Sequence, residues 1–258
     1  MKKPYTRFLH TMLAALPLLF FTGCGEDAVS TDLLLTSAVE CARSGKWQPC
    51  EDNAVTVLKR DPANTYALLL RALAAEHLGK QETALAMAKQ AAENAPGDFP
   101  AQYTYGRLLA AQGSNAKSAI QVLERALKLR PGNRSTLILL GQCSSKINAD
   151  NTINYYLALP PAVRNLPEIQ TRMAMYYLDR RDRSRNNISL ALRALSNAYK
   201  SANDNPVIVL NLAMFIDRYM RDKKKAYAFY NRYLLLTKHN PELNTTRAQV
   251  KARMSTLR

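Results

Sequence analysis

Few side chains in this sequence stand where they could carry covalent or proton-transfer chemistry. The three histidines are His10, His77 and His239. His10 lies in an apolar N-terminal stretch, and the other two fall near helix ends. Glu76-His77 is an isolated acid–base pair and reads as solvated. No His-Glu pair recurs at the helical spacing that a metal protease needs, no Gly-rich loop is placed to cradle phosphate, and no Ser sits in a sharp Gly-flanked turn. The four cysteines, Cys24, Cys41, Cys50 and Cys143, are not spaced as a tetrahedral metal site. The chain therefore reads as a non-enzyme with no catalytic residue, no cofactor and no metal. Two chemistries remain: what the cysteines bond to, and what a formal charge of +16 attracts.

The elements that position these residues follow a period. Gly79 is followed by Ala84, Ala88, Ala91 and Pro96, and Gly113 by Ala119, Leu123, Ala126 and Pro131. Pro62, Pro96 and Pro131 lie 34 and 35 residues apart. A fixed period of this size dictates a repeat architecture. Each unit reads as two antiparallel helices, A and B, joined by a tight turn. Ala72, Ala84 and Ala91 fall where the two helices approach, and a larger side chain there would push them apart. Gly79 stops the first helix at a position favouring a left-handed backbone. Pro96 ends the second because it cannot donate the next hydrogen bond. One hairpin cannot bury its apolar face alone, so stacked copies are needed.

The pattern resembles the tetratricopeptide repeat (TPR). The matching positions are Ala72, Gly79, Ala84, Ala91 and Pro96 in one unit, and Gly106, Gly113, Ala119, Ala126 and Pro131 in the next, with one residue inserted in the turn. The resemblance implies an all-α, right-handed superhelical solenoid. We expect about six repeats over residues 31–258, clearest at 65–98 and 99–133, degenerate at 134–166 and basic at 167–258. Thr31 to Asn64 reads as a divergent first repeat, with Cys50 at the first helix-B Ala position and Cys41 late in helix A. In the fourth repeat Pro160, Pro161 and Pro167 shorten helix B. A fifth helix A is expected near Glu168–Leu178, with Ala191 and Ala198 in its helix B. A sixth unit starts at Asn205-Pro206. Its helix B carries Ala226, Tyr230 and Tyr233 and runs on to Asn240-Pro241. Residues 242–258 form a cap with Val250, Met254 and Leu257 on one face. An apolar content of 47% supplies a continuous core, and no β-hairpin signal competes.

Residues 1–23 read as a targeting segment: Lys2, Lys3 and Arg7 open it, and Leu13 to Phe21 form an apolar run too short for a permanent span. It ends in Phe21-Thr22-Gly23-Cys24, which is similar to the lipobox of bacterial lipoproteins, with Phe21 where Leu is usual. The resemblance implies cleavage after Gly23, lipidation of Cys24, and a tether over residues 24–30. Two or more acyl chains make such an anchor stable. Gly25, where Asp would signal inner-membrane retention, points to the outer membrane with the repeats facing the periplasm. That compartment permits disulfides. Cys41 and Cys50 are then either a bridge across the first hairpin turn or two small buried thiols, and the bridge is the expectation tested below. Cys143 reads as a small buried residue.

The charge is lopsided. Residues 24–163 hold 14 basic and 13 acidic side chains, whereas residues 164–258 hold 19 and 7. The clusters are Arg180, Arg181, Arg183 and Arg185, then Arg218, Arg221, Lys223, Lys224 and Lys225, then Arg247, Lys251 and Arg253. The first two fall in turns between helices A and B and would form a basic ridge. Such a field attracts anions and is screened by salt. In an envelope protein the partner is not nucleic acid; anionic lipid, acidic glycan or peptidoglycan, and acidic protein segments remain.

The family resemblance implies that function lies in the concave face, lined by helix A, where a peptide or partner helix is held. Candidate groove residues are Tyr66, Tyr103, Arg107, Tyr176 and Asn211; each Tyr is equally readable as interhelix packing. Asn211 matches a position that contacts bound peptide backbone in some family members. Lipobox, length and repeat number together resemble the assembly lipoproteins of type IV and related pilus systems, which help install an outer-membrane secretin. The expected function is thus an envelope scaffold or adaptor, or alternatively a tether whose basic half engages anionic polymer or lipid.

Overall fold

The computed structural model describes residues 29–113, 115–179 and 185–257. The lipobox with Cys24, and Arg180, Arg181 and Arg183, lie outside the described residues. Among the described residues the chain is helical and has no strand. It divides at Pro131–Gly132 into two compact units. The first holds three hairpins: α1 (Thr31–Arg43) with α2 (Trp47–Arg60), α3 (Thr65–His77) with α4 (Gln81–Asn94), and α5 (Phe99–Gln112) with α6 (Ala116–Leu129). The second holds α7 (Arg134–Lys146), α8 (Thr152–Leu157), α9 (Pro161–Arg164), α10 (Pro167–Asp179) and α11 (Arg185–Ser201). It continues through α12 (Pro206–Phe215), a π-helical turn (Ile216–Met220), α13 (Lys223–Leu236), a 3-10 turn (Pro241–Leu243) and α14 (Asn244–Ser255). Within each unit, successive helices pack as pairs.

Helix A of a repeat is begun by a side chain and ended by a left-handed residue. Ser30, Asn64, Asp98, Asn133 and Asn205 each accept a backbone N–H of the first turn, at 3.2, 3.0, 3.1, 3.0 and 3.0 Å. These caps satisfy donors that the helix itself cannot. Left-handed residues follow at Gly45, Gly79, Gly113, Asn148 and Arg221. The chain closes over each by backbone bonds such as Lys80 N–H to Ala75 C=O (2.8 Å) and Ala149 N–H to Ser144 C=O (2.9 Å). The count from cap to left-handed residue is the same from Ser30 to Gly45 as from Asn133 to Asn148, but one longer from Asn205 to Arg221. The π-helical turn at Ile216–Met220 takes up that extra residue, which is how single insertions are absorbed in helices.

The same ruler locates the seam. Eight residues after each cap stands Ala38, Ala72, Gly106, Gly141 or Ala213, and Ala174 holds the equivalent place in α10. On helix B the facing positions are Cys50, Ala84, Ala119, Thr152, Ala191 and Ala226, all 0% exposed. Seven residues on, Val57, Ala91, Ala126, Leu159, Ala198 and Tyr233 are at most 2% exposed. Size is traded across the seam. Ala72 shares a cluster with Ala84 and Ala88. Gly106 instead faces Leu123, whose Cγ would lie 2.7 Å from an added Cβ, and Gly141 faces Tyr156, whose ring would lie 2.5 Å away. The prolines shorten the fourth helix B to α8 and α9, yet Leu159 still fills the core position. The buried Thr152 hydroxyl donates to Ala149 C=O at 2.7 Å.

Helix α13 ends at Leu236, short of the Asn240-Pro241 end expected above. Asn240 caps the 3-10 turn instead, accepting Glu242 N–H at 3.0 Å. The terminal helix caps the second unit as its pattern predicts: Val250, Met254 and Leu257 are 5, 7 and 7% exposed. Asp217, from the π-helical turn, clamps it. Arg253 donates from Nε at 2.7 Å and Nη2 at 2.8 Å, and the Tyr230 hydroxyl donates at 3.0 Å. The Arg253 hydrogen bonds, outweighing burial and aided by Tyr230, hold the Asp217 carboxyl below the usual carboxylate value of 3.8.

Two outcomes follow. Gly106→Ala should lower stability by about 1–3 kcal/mol through overpacking, and Leu123→Ala on that background should restore part of it by recreating the Ala-lined seam of the second hairpin. Urea unfolding checks this, and an undestabilised Gly106→Ala would contradict the seam. The clamp is fully formed above pH 3.8 and is lost as pH falls through the lowered Asp217 value. Acid should therefore loosen wild type in a step that Asp217→Asn lacks, read as hydrogen exchange of α14.

Candidate functional site

The outward face of each helix A is set by the same count from its cap. Tyr66 stands two residues after Asn64 and is 45% exposed. Tyr103 stands five after Asp98, half-buried, its ring stacked on Phe99 with centroids 5.6 Å apart and planes 14° apart. The Arg130 guanidinium lies 4.5 Å from the Phe99 centroid, so this aromatic pair is held from the B-helix side. Both tyrosines therefore lie on helices of the first unit, α3 and α5, which pack together.

Arg107 belongs to the same face but has a structural task. Its Nη1 and Nη2 each donate at 2.6 Å to the two Glu76 carboxylate oxygens. The side chains are only 18 and 16% exposed, and the two-pronged pair ties α5 to α3. Its neighbour His77 is stacked on Trp47, centroids 3.7 Å apart and planes 2° apart. Glu76-His77 is thus not a solvated pair, as its isolation in sequence led us to read it; both members are spent on contacts between repeats. Lys80 makes a third such contact, reaching the buried Glu51 carboxylate at 2.6 Å.

Two further expectations are corrected. Tyr176 is 9% exposed, and its hydroxyl donates to Asp150 C=O at 2.9 Å. It takes the inward register also held by Ala74, Leu108, Cys143 and Phe215, all buried, so it is packing rather than groove. The Cys41–Cys50 bridge is not formed; both are free thiols. Cys50 occupies the first small-residue position of helix B, 0% exposed, with Sγ 3.9 Å from Leu70 C=O. Burial, reinforced by Cys41 and Glu51, pushes its thiol up to about 12, which suits a small core residue. Cys143 is buried as expected.

In the second unit, Asn211 is half-buried on the outward side of α12. The sequence reading missed its neighbours. Val207 and Met214 are 63 and 53% exposed, and Leu210 between them is half-buried. Counting from Asn205 would have found them: they stand two, five and nine residues on, the places held by Tyr66, Tyr103 and Arg107 in the first unit. The basic cluster begins at the end of this face. Arg218 and Arg221 are exposed, as are Lys223, Lys224 and Lys225 in the first turn of α13, where Asp222 accepts Lys225 N–H at 2.9 Å. Arg185 is exposed at the start of α11. Among the described residues no group of His, Cys, Asp or Glu could hold a metal ion, and no helix is long and apolar enough to cross a membrane.

No sequence-family profile and no curated protein matches the chain. Solved structures do. The chain is similar to PilW, described as a widely conserved type IV pilus biogenesis factor, with TM-score 0.64 and 17% identity over 84% of this chain and 97% of that one. It is similar to Pseudomonas aeruginosa PilF, with TM-score 0.63 and 16% identity over 85 and 97% of the two chains. It is also similar to YrrB, a TPR protein described as having an unusual peptide-binding site, with TM-score 0.60 and 15% identity over 72 and 93%. The fold is that of the tetratricopeptide repeat. At these identities the likeness is one of fold.

Arg107→Ala would leave the Glu76 carboxylate largely buried and unpaired, and should cost about 3 kcal/mol. Replacing both by Leu should recover most of that loss, because the carboxylate goes with its partner. Denaturant midpoints of the three variants test whether the pair is structural; an Arg107→Ala protein as stable as wild type would show that it is not.

Proposed function

We infer that this chain is a non-catalytic scaffold of the bacterial cell envelope, anchored through lipid on Cys24 and holding a partner protein on the outward faces of its A helices. The observation that carries this reading is the kind of residue found at those positions. Tyr66, Val207 and Met214 are 45, 63 and 53% exposed, and the hydrogen-bonding Tyr103 and Asn211 beside them on their helices are half-buried. Stacking the repeats requires none of them in that state. Tyr combines large apolar area with a polar tip, which suits recognition.

The lipobox-like ending Thr22-Gly23-Cys24 supports an anchor, and Gly25 supports an outer-membrane, periplasm-facing placement. Likeness to PilW and PilF along most of both chains supports a part in assembling a pilus- or secretion-type complex. A second reading, a surface tether, is favoured by the exposed Arg185, Arg221 and Lys223 to Lys225. These would engage anionic lipid, glycan or peptidoglycan, at about 1 kcal/mol for each cation near an anionic membrane.

A photoreactive residue at Tyr103, used in the native envelope, separates the two. The scaffold reading expects one discrete protein in the crosslink, retained in high salt. Crosslinks only to lipid or glycan would instead support the tether. Cys24→Ala should release the protein from the membrane fraction; persistence there would remove the anchor from the proposal.

A further inference from the structure

Val207, Leu210 and Met214 recur at helical spacing on one side of α12, with the Asn211 carboxamide among them. Scattered exposed apolar residues are ordinary. Three on one helical face, two of them 63 and 53% exposed, make a stripe. At its C-terminal end the chain turns through Arg218 and Arg221 into Lys223, Lys224 and Lys225. Three lysines in the first turn of α13 face the positive end of that helix, an arrangement that disfavours cations. Asp222 is the single carboxylate within this run.

We propose that the α12 face docks an acidic, amphipathic segment of a partner protein. The segment's apolar side chains lie on Val207, Leu210 and Met214, and its carboxylates reach the cluster from Arg218 to Lys225. This rests on the scaffold reading above and names the chemistry of the partner. A helix presenting apolar residues every three to four positions matches the spacing of the stripe. Asn211 offers both a donor and an acceptor to a backbone group of the segment. Charge selects among the occupants. A second copy of this chain would bring the same basic cluster against itself, and like charges repel. An acidic segment neutralises the cluster and relieves the lysines at the helix start.

The test uses the full chain and a short labelled peptide with leucines at helical spacing and glutamates between them. Its counterpart has lysines in place of the glutamates. Fluorescence anisotropy should show binding of the acidic peptide alone, weakening steeply with salt. Val207→Glu and Met214→Glu lie on exposed positions and should each weaken binding about tenfold. Replacing Lys223, Lys224 and Lys225 by Gln should weaken it and flatten the salt dependence. Equal binding of both peptides, or binding indifferent to the two Glu variants, would overturn the proposal. So would a cluster whose replacement abolishes attachment to phosphatidylglycerol vesicles and leaves the peptide unaffected. The two readings fail separately. A protein captured at Tyr103 and still held by Met214→Glu leaves the scaffold standing without this docking face. Loss of every protein crosslink removes the scaffold itself.

Discussion

Two helix backbones can approach closely only where little side chain stands between them. Everything else in this molecule follows from where the sequence meets that requirement. The small residues eight places after each helix-A cap, and the buried positions seven apart on helix B, decide which faces meet. The core then fills by complement. Ala72 meets Ala84 and Ala88, whereas opposite the larger Leu123 and Tyr156 helix A carries Gly106 and Gly141. Packing at interior density leaves no slack for both to be large. The polar contacts are secondary to this seam. Glu76–Arg107, Glu51–Lys80 and the Trp47–His77 stack join successive hairpins, each closed by its own seam.

The framework was legible in the sequence because it is made of residues with narrow physical uses. Gly79 and Gly113 mark left-handed turns, Pro96 and Pro131 end helices, and the alanines repeat at a fixed distance. The fourth helix B was legible as shortened because proline has few tolerable places in a helix. The π-helical turn was not, since one extra residue between Asn205 and Arg221 leaves no mark unless the cap and the left-handed residue are both known. Nor were the caps used as rulers, although Asn64, Asp98, Asn133 and Asn205 stand openly before their helices.

The candidate surface was less legible. Tyr176 and Tyr103 are alike in composition and helix, and differ only in register. One count places Tyr176 inward beside Leu108 and Cys143 equivalents, the other places Tyr103 outward. Arg107 was assigned to the right face but the wrong task, because its partner Glu76 lies a whole repeat away. Cys50 misled in the opposite direction. Near in sequence to Cys41, it is claimed by the core, where a thiol serves as a slightly larger alanine. Framework and surface are thus written in different residues: caps, seam and turn positions in one set, the outward positions of helix A in another.

The left-handed turn residues differ between the units. Among the described residues, the turns from helix A to helix B use Gly45, Gly79 and Gly113 in the first unit, and Asn148 and Arg221 in the second. A residue with a Cβ in that conformation gives up roughly 1 kcal/mol relative to glycine. Almost any replacement of a turn glycine therefore meets that barrier in one step. Asn148 and Arg221 have already crossed it. Other unbranched side chains can stand in for Arg221 without raising a new backbone barrier, so the edge of the second unit can change its recognition chemistry there while its helices stay where they are.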